Sequence, residues 1–151
     1  MNKKDFQIIQ HLRKNARMSL TTMSKKTGIP VSTIFKRLKA HESSIINKHA
    51  TLLNFNTLGY NTVAMIKIKV EREDKEALGQ HLKFNPCVNN AYKINNGFDY
   101  LVQGVFKQIK DMEEFLENLE QKFKISDKQT FFIIDHIKRE EFMSDEILPQ
   151  T

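Results

Sequence analysis

Apolar residues recur at helical spacing three times before residue 43, and then change to a two-residue alternation from residue 62. In KKDFQIIQHLRKN, Phe6, Ile9 and Leu12 share a face with Ile8 beside them, which predicts an amphipathic first helix. A second helix over LTTMSKKT places Leu20, Met23 and Thr27 on one side, with Ser19 positioned to cap its start and Gly28 to end it in a left-handed conformation. In PVSTIFKRLKAHE, Val31, Ile34, Phe35 and Leu38 stand at i, i+3, i+4 and i+7, which predicts one buried stripe on a third helix. Its other face carries Ser32, Thr33, Lys36, Arg37 and Ala40, with Lys39 at the flank. Two short helices around a glycine turn, the second polar and basic outward, form a helix-turn-helix.

The second half reads differently. The stretch INKHATLLNFNTLGY alternates loosely and predicts a strand or a linker ending at Gly59. TVAMIKIKVE alternates cleanly, with Ala64, Ile66, Ile68 and Val70 on one face and Met65, Lys67, Lys69 and Glu71 on the other. A helix follows, with Ala77, Leu78, His81 and Leu82 inward and Pro86 as its stop. VNNAYKI and DYLVQGVF flank Asn96-Gly97, a signal for a tight turn between antiparallel strands. A further helix is expected to start with Asp111 as N-cap and Glu114 as capping-box partner, burying Met112, Phe115, Leu116, Leu119 and Phe123. QTFFIIDHI then predicts a last strand. The order βαββαβ is that of a ferredoxin-like sheet with both helices on one face. The expected fold class is therefore α+β: a helix-turn-helix domain over residues 1–46, a hinge strand or linker over 47–60, a βαββαβ domain over 61–140 and a loose tail over 141–151.

Charge sharpens this division. Residues 1–50 hold eight Lys and three Arg against Asp5 and Glu42, a net +9, whereas the rest of the 151-residue chain carries −3. A basic module joined to a slightly acidic one suits a phosphate backbone as the first module's partner, so double-stranded DNA is the expected ligand. Lys and Arg neutralise phosphates or donate to guanine, while Ser and Thr serve phosphates or base edges. The expected DNA contacts are Ser32, Thr33, Lys36, Arg37 and Lys39, together with Thr21 and Lys25 on the preceding helix. No apolar run approaches the length of a membrane span, and the charged N-terminus lacks a signal-peptide pattern. The one cysteine, Cys87, fits a reducing compartment, so a cytoplasmic protein is expected. His11, His41, His49, His81 and His136 show no metal-ligand spacing, and there is no phosphate loop or nucleophile elbow. No catalytic residue, metal or cofactor is expected.

With these elements in place, the chain resembles the Lrp/AsnC family of feast/famine transcription regulators from about residue 3 to about residue 138. The resemblance is carried by NARMSLTTMSKKTGIPVSTIFKRLK, by LGY at the domain junction, and by NNGFDYLV and MEEFLENL. It implies a winged helix-turn-helix, a ligand-sensing domain, and a homodimer that assembles further, commonly into octamers. It also implies an effector, usually an amino acid, bound near Asn96, Gly97, Phe98, Asp99 and Tyr100. The chain departs from the family pattern at Pro30, where Ser is usual, and at His41, where Leu is usual. Two other readings compete with a DNA-binding regulator: a sirohaem-decarboxylase-like enzyme of the same architecture, and a stand-alone amino-acid sensor acting through proteins.

Overall fold

The computed structural model describes residues 1–145. It divides into two compact units, Met1–Leu52 with the described residues from Ile137 onward, and Leu53–His136. The first unit contains α1 (Lys3–Lys14), α2 (Leu20–Thr27) and α3 (Val31–Glu42). The second contains β1 (Thr62–Val70), α4 (Lys75–Phe84), β2 (Val88–Lys93), β3 (Tyr100–Phe106), α5 (Ile109–Lys122) and β4 (Ile125–Phe132). Between α3 and β1 there is no strand; the loosely alternating stretch, whose residues from Leu53 onward belong to the second unit, is irregular chain. Five of its last seven residues make turns, and a turn cannot carry a ladder.

The sheet order is β2-β3-β1-β4, with every neighbouring pair antiparallel. The alternation in β1 decides its packing: Ala64, Ile66, Ile68 and Val70 all face the core. Val102 and Phe106 of β3 join them, with Leu78 and Leu82 of α4 and Met112, Phe115, Leu116 and Leu119 of α5. Ala77 is exposed rather than inward, because α4 packs through the narrow Leu78–Leu82 edge. Helix α5 starts two residues before the expected cap. Gln108 is the N-cap and its backbone N–H donates to Asp111 Oδ2 at 3.3 Å, which places Asp111 at the third helical position. Strand β4 begins at Ile125 and ends at Phe132, earlier than the apolar run suggested. Its pairing with β1 explains this, since Ala64 at the start of β1 is already opposite Phe132.

Gly104 marks a close approach. A Cβ built there would lie 2.5 Å from Cε2 of the buried Phe106 ring. Gly104→Ala is therefore expected to destabilise the sheet unit by about 1–3 kcal/mol through overpacking. Denaturant unfolding followed by tyrosine fluorescence checks this, because Tyr60, Tyr92 and Tyr100 all belong to that unit.

In the first unit, Ile8, Met23, Ile29 and Ile34 form a small core flanked by Leu12, Met18 and Leu20. Phe6, expected on this face, is partly exposed, because Asp5, Ile8 and Ile9 are the buried residues of α1. The segment expected to be a loose tail from residue 141 makes specific bonds here. Arg13 donates to the carbonyls of Phe142 and Glu140 at 2.8 Å each, and Lys14 pairs with Asp145 at 2.7 Å. The remaining tail positions, 146–151, lie outside the described residues.

Candidate nucleic-acid interface and hairpin turn

The geometry of the first unit is set at the junction of α2 and α3. The Ser19 hydroxyl accepts from the Thr22 backbone N–H at 3.1 Å, the cap expected for α2. Gly28 then turns the chain at φ +73°, a value most side chains resist. Beyond it, Ser24 Oγ donates to the Ile29 carbonyl at 2.6 Å, and the Ile29 N–H donates to Thr27 Oγ1 at 3.2 Å. These two bonds tie the end of α2 to the entry of α3. Pro30 occupies the N-cap of α3 without a side-chain cap bond, its restricted φ fixing the entry instead.

Helix α3 is rotated relative to the stripe read from its apolar residues. Ile34 and His41 are buried and Leu38 is partly so, whereas Val31 is 42% and Phe35 53% exposed. The cause is a polar cluster with α1. Asp5 Oδ1 accepts from Arg37 Nη1 at 2.8 Å and lies 3.0 Å from His41 Nε2. Asp5 Oδ2 accepts from the Asn2 backbone N–H at 3.1 Å, and the Asp5 N–H donates to Asn2 Oδ1 at 3.0 Å. His41 thus fills the buried position where the family resemblance leads one to expect leucine, and the same carboxylate holds it and Arg37. Asp5 is one of only two acids in the first 50 residues, and local spacing gives no sign of its pairing with α3.

Burial raises the Asp5 carboxyl pKa. The hydrogen bonds from Arg37 and Asn2, with the charges of Arg37 and His41, outweigh burial and hold it below the ordinary 3.8. With the folded value depressed, the unfolded chain takes up the proton first. The contribution of Asp5 is present above about pH 3.8 and is lost as pH falls through the lower folded value. Asp5→Asn is expected to lower the melting temperature of the helical unit at pH 7, and the gap from wild type should close below pH 3.8. Thermal melts followed by far-UV circular dichroism across that range measure it.

Of the residues expected at DNA, Ser32, Lys36, Lys39, Thr21 and Lys25 are exposed. Thr33 and Arg37 are half-buried, Arg37 being anchored on α1 through Asp5. Lys36 and Lys39 therefore project from the same helix that the Asp5 cluster fixes in place.

In the sheet unit, Asn96 and Gly97 both have positive φ, +64° and +86°, as the turn signal requires. The Ile94 N–H donates to the Asp99 carbonyl at 3.1 Å, closing the hairpin loop. The Asp99 carboxylate already has two partners: Oδ2 accepts from the Val70 N–H at 2.9 Å, and Oδ1 lies 3.3 Å from Lys75 Nζ. Tyr100 is buried and its hydroxyl donates to the Lys75 carbonyl at 2.6 Å. Burial, then the charges of Glu76 and Asp99, push the Tyr100 pKa above its usual 10.0. Asn96 and Gly97 stand exposed, and Phe98 is half-buried with Lys67 Nζ 5.2 Å from its ring centroid. A cleft of about 390 Å³ opens between α4 and β2, bordered by Glu76, Lys83, Tyr92 and Tyr100.

A helix-turn-helix with a basic, hydroxyl-bearing outer face and a separate βαββαβ unit define a regulator built of a DNA-binding and a ligand-binding module. Residues 1–40 match the winged helix-turn-helix DNA-binding family model, and residues 63–142 match the Lrp/AsnC ligand-binding domain. The chain belongs to the Lrp/AsnC family of helix-turn-helix transcriptional regulators. It is 32% identical to the HTH-type transcriptional regulator FL11 of Pyrococcus furiosus over 114 residues, 75% of this chain and 76% of the relative. Among solved structures it is similar to transcriptional regulator NMB0573 of Neisseria meningitidis in complex with L-Met. That likeness has a TM-score of 0.85 at 23% identity, covering 92% of this chain and 93% of the other. AsnC of Escherichia coli shares the fold at a TM-score of 0.80 and 20% identity, covering 92% and 95%. The first two of these proteins are named as transcriptional regulators, and none of the three lends support to the decarboxylase reading. Among the described residues no helix is long and apolar enough to cross a membrane, and no cluster of His, Cys, Asp and Glu could hold a metal ion.

Proposed function

We propose that the protein is a cytoplasmic, sequence-specific regulator that binds DNA through α3 as a homodimer and responds to a small effector, an amino acid. The observation that carries this reading is the outer face of α3, where Ser32, Lys36 and Lys39 are exposed beside a turn fixed by Gly28. The start of such a helix enters the major groove, so Ser32 and Thr33 serve base edges while Lys36 and Lys39 neutralise phosphates. Arg37 reaches phosphate from its anchored position on Asp5, and Thr21 and Lys25 steady the backbone from α2.

Dimerisation through the uncovered sheet face is supported by its apolar content. Phe131 and Tyr92 are 48% and 51% exposed there, with Met65 opposite Phe131 in the ladder. Further assembly, up to an octamer, follows the family pattern. The effector response is assigned to the turn from Asn96 to Tyr100, with Asn96, Gly97 and Phe98 offering contacts and Asp99 and Tyr100 holding the turn rigid. Ligand and assembly are then linked, since whatever binds one assembly better favours it. Gly97→Val and Asp99→Ala are expected to shift the oligomer distribution in light scattering more than they shift the binding of one dimer to one site.

Selection of bound fragments from random DNA, with and without each amino acid, tests the reading as a whole. A pseudo-palindromic site with half-sites about one helical turn apart is expected. At least one amino acid should change either the DNA affinity or the assembly state. No enriched sequence, or no response to any amino acid, contradicts the corresponding half of the proposal.

A further inference from the structure

Phe35 is the most exposed large apolar side chain of the three helices of the helical unit. It lies on α3, it is 53% exposed, and it takes no part in the core of Ile8, Met23, Ile29 and Ile34. Its neighbours on the outer face are charged or polar: Lys36 is adjacent, Ser32 lies three residues back, and Lys39 Nζ is 5.6 Å from the ring centroid. Val31, one turn earlier on the same side, is also exposed at 42%. A phenyl ring and an isopropyl group bordered by lysines suit a partner that is anionic at its rim and apolar at points within. The major groove of DNA has that character: phosphates line its edges, and the thymine C5-methyl is the apolar group among its base edges. A second copy of this chain is a poorer match, because its helical unit carries the same surplus of positive charge.

We propose that Phe35, assisted by Val31, reads thymine by packing on its 5-methyl group, making α3 selective for thymine at a defined position of each half-site. This rests on the DNA-binding reading and adds to it the base that is recognised and the side chain that recognises it. Lys36 and Lys39 supply affinity that hardly depends on sequence, whereas the Phe35 ring supplies discrimination, because a guanine, adenine or cytosine edge offers no methyl there. Removing the methyl alone, by writing uracil for thymine, preserves every hydrogen-bonding group of the base pair.

The test uses the full chain on a DNA site obtained by selection, with each thymine replaced in turn by uracil. Wild type should lose about fourfold in affinity at one thymine per half-site, the effect of one buried carbon group. Phe35→Ala should bind thymine and uracil equally at that position, whereas Lys36→Ala should weaken both and keep their ratio. Equal binding of thymine and uracil by wild type at every position overturns the proposal while leaving DNA binding intact. So does a Phe35→Ala chain whose thymine preference is unchanged. If Phe35→Ala alters the oligomeric state in light scattering and not the thymine-to-uracil ratio, the ring belongs to a protein contact and the proposal falls. If selection yields no DNA site at all, the DNA-binding reading fails, and this inference fails with it.

Discussion

Replacing Lys36 and Lys39 together by alanine in both protomers of the dimer is expected to weaken DNA binding by roughly three orders of magnitude or more at about 0.1 M salt. Each phosphate neutralised contributes about −0.9 to the slope of log K against log salt, and the dimer loses two lysines from each protomer, so the double variant should show a slope shallower by about 3.6. Both side chains are exposed on the outer face of α3, and neither is part of the Asp5 cluster. Stability should therefore change by no more than about 0.5 kcal/mol. Fluorescence anisotropy titrations over a range of salt concentrations, paired with a thermal melt, measure both quantities. An unaltered slope would remove these two lysines from the phosphate contacts.

Ile34→Ala should have the opposite profile, with a large loss of stability confined to the helical unit. Ile34 is fully buried in a core with only three other buried residues, Ile8, Met23 and Ile29. Truncating a buried Ile costs about 2–5 kcal/mol. A unit of about 50 residues is stable by about 3–8 kcal/mol, so this loss consumes most of its margin. DNA binding should be lost at physiological temperature and helical circular dichroism should melt early. Tyrosine fluorescence, which arises only from the sheet unit, should report an unchanged transition. A common downward shift of both transitions would mean that the two units unfold as one.

How far the sequence disclosed these features depended on whether they were local. The alternation of Ala64, Ile66, Ile68 and Val70 could be read directly because a strand buried on one face leaves a period-two record. Ser19, Gly28 and Asn96-Gly97 were legible for a related reason: caps and turns depend on the residue itself, and all three stand where their chemistry placed them. The orientation of α3 was not legible. Val31, Ile34, Phe35 and Leu38 are all apolar, so periodicity pointed to a stripe centred between them. The rotation was decided by Asp5, 32 and 36 residues away from Arg37 and His41. A buried carboxylate that needs two donors outweighs the partial burial of a phenyl ring, and no spacing rule registers a pairing across that separation. The same limit applies to Asp99, whose carboxylate could be placed beside a turn from the sequence but not assigned to Val70 and Lys75. The start of α5 was misplaced for a local reason, because both Gln108 and Asp111 can cap and only the backbone path chooses between them.

Tethered cleavage tests most directly whether α3 lies in the major groove of DNA in both halves of a two-fold site. The chain contains a single cysteine, Cys87, so Ser32→Cys in a Cys87→Ser background can carry one iron–EDTA group at the start of α3. On a selected site, the labelled protein should cut the DNA in two clusters centred about one helical turn apart, offset as cleavage from within the major groove requires. A label on Asn54→Cys, in the same Cys87→Ser background and at the start of the second unit, should not reproduce that pattern. Diffuse cutting from position 32, or cutting from position 54 alone, would contradict the placement of α3 in the groove.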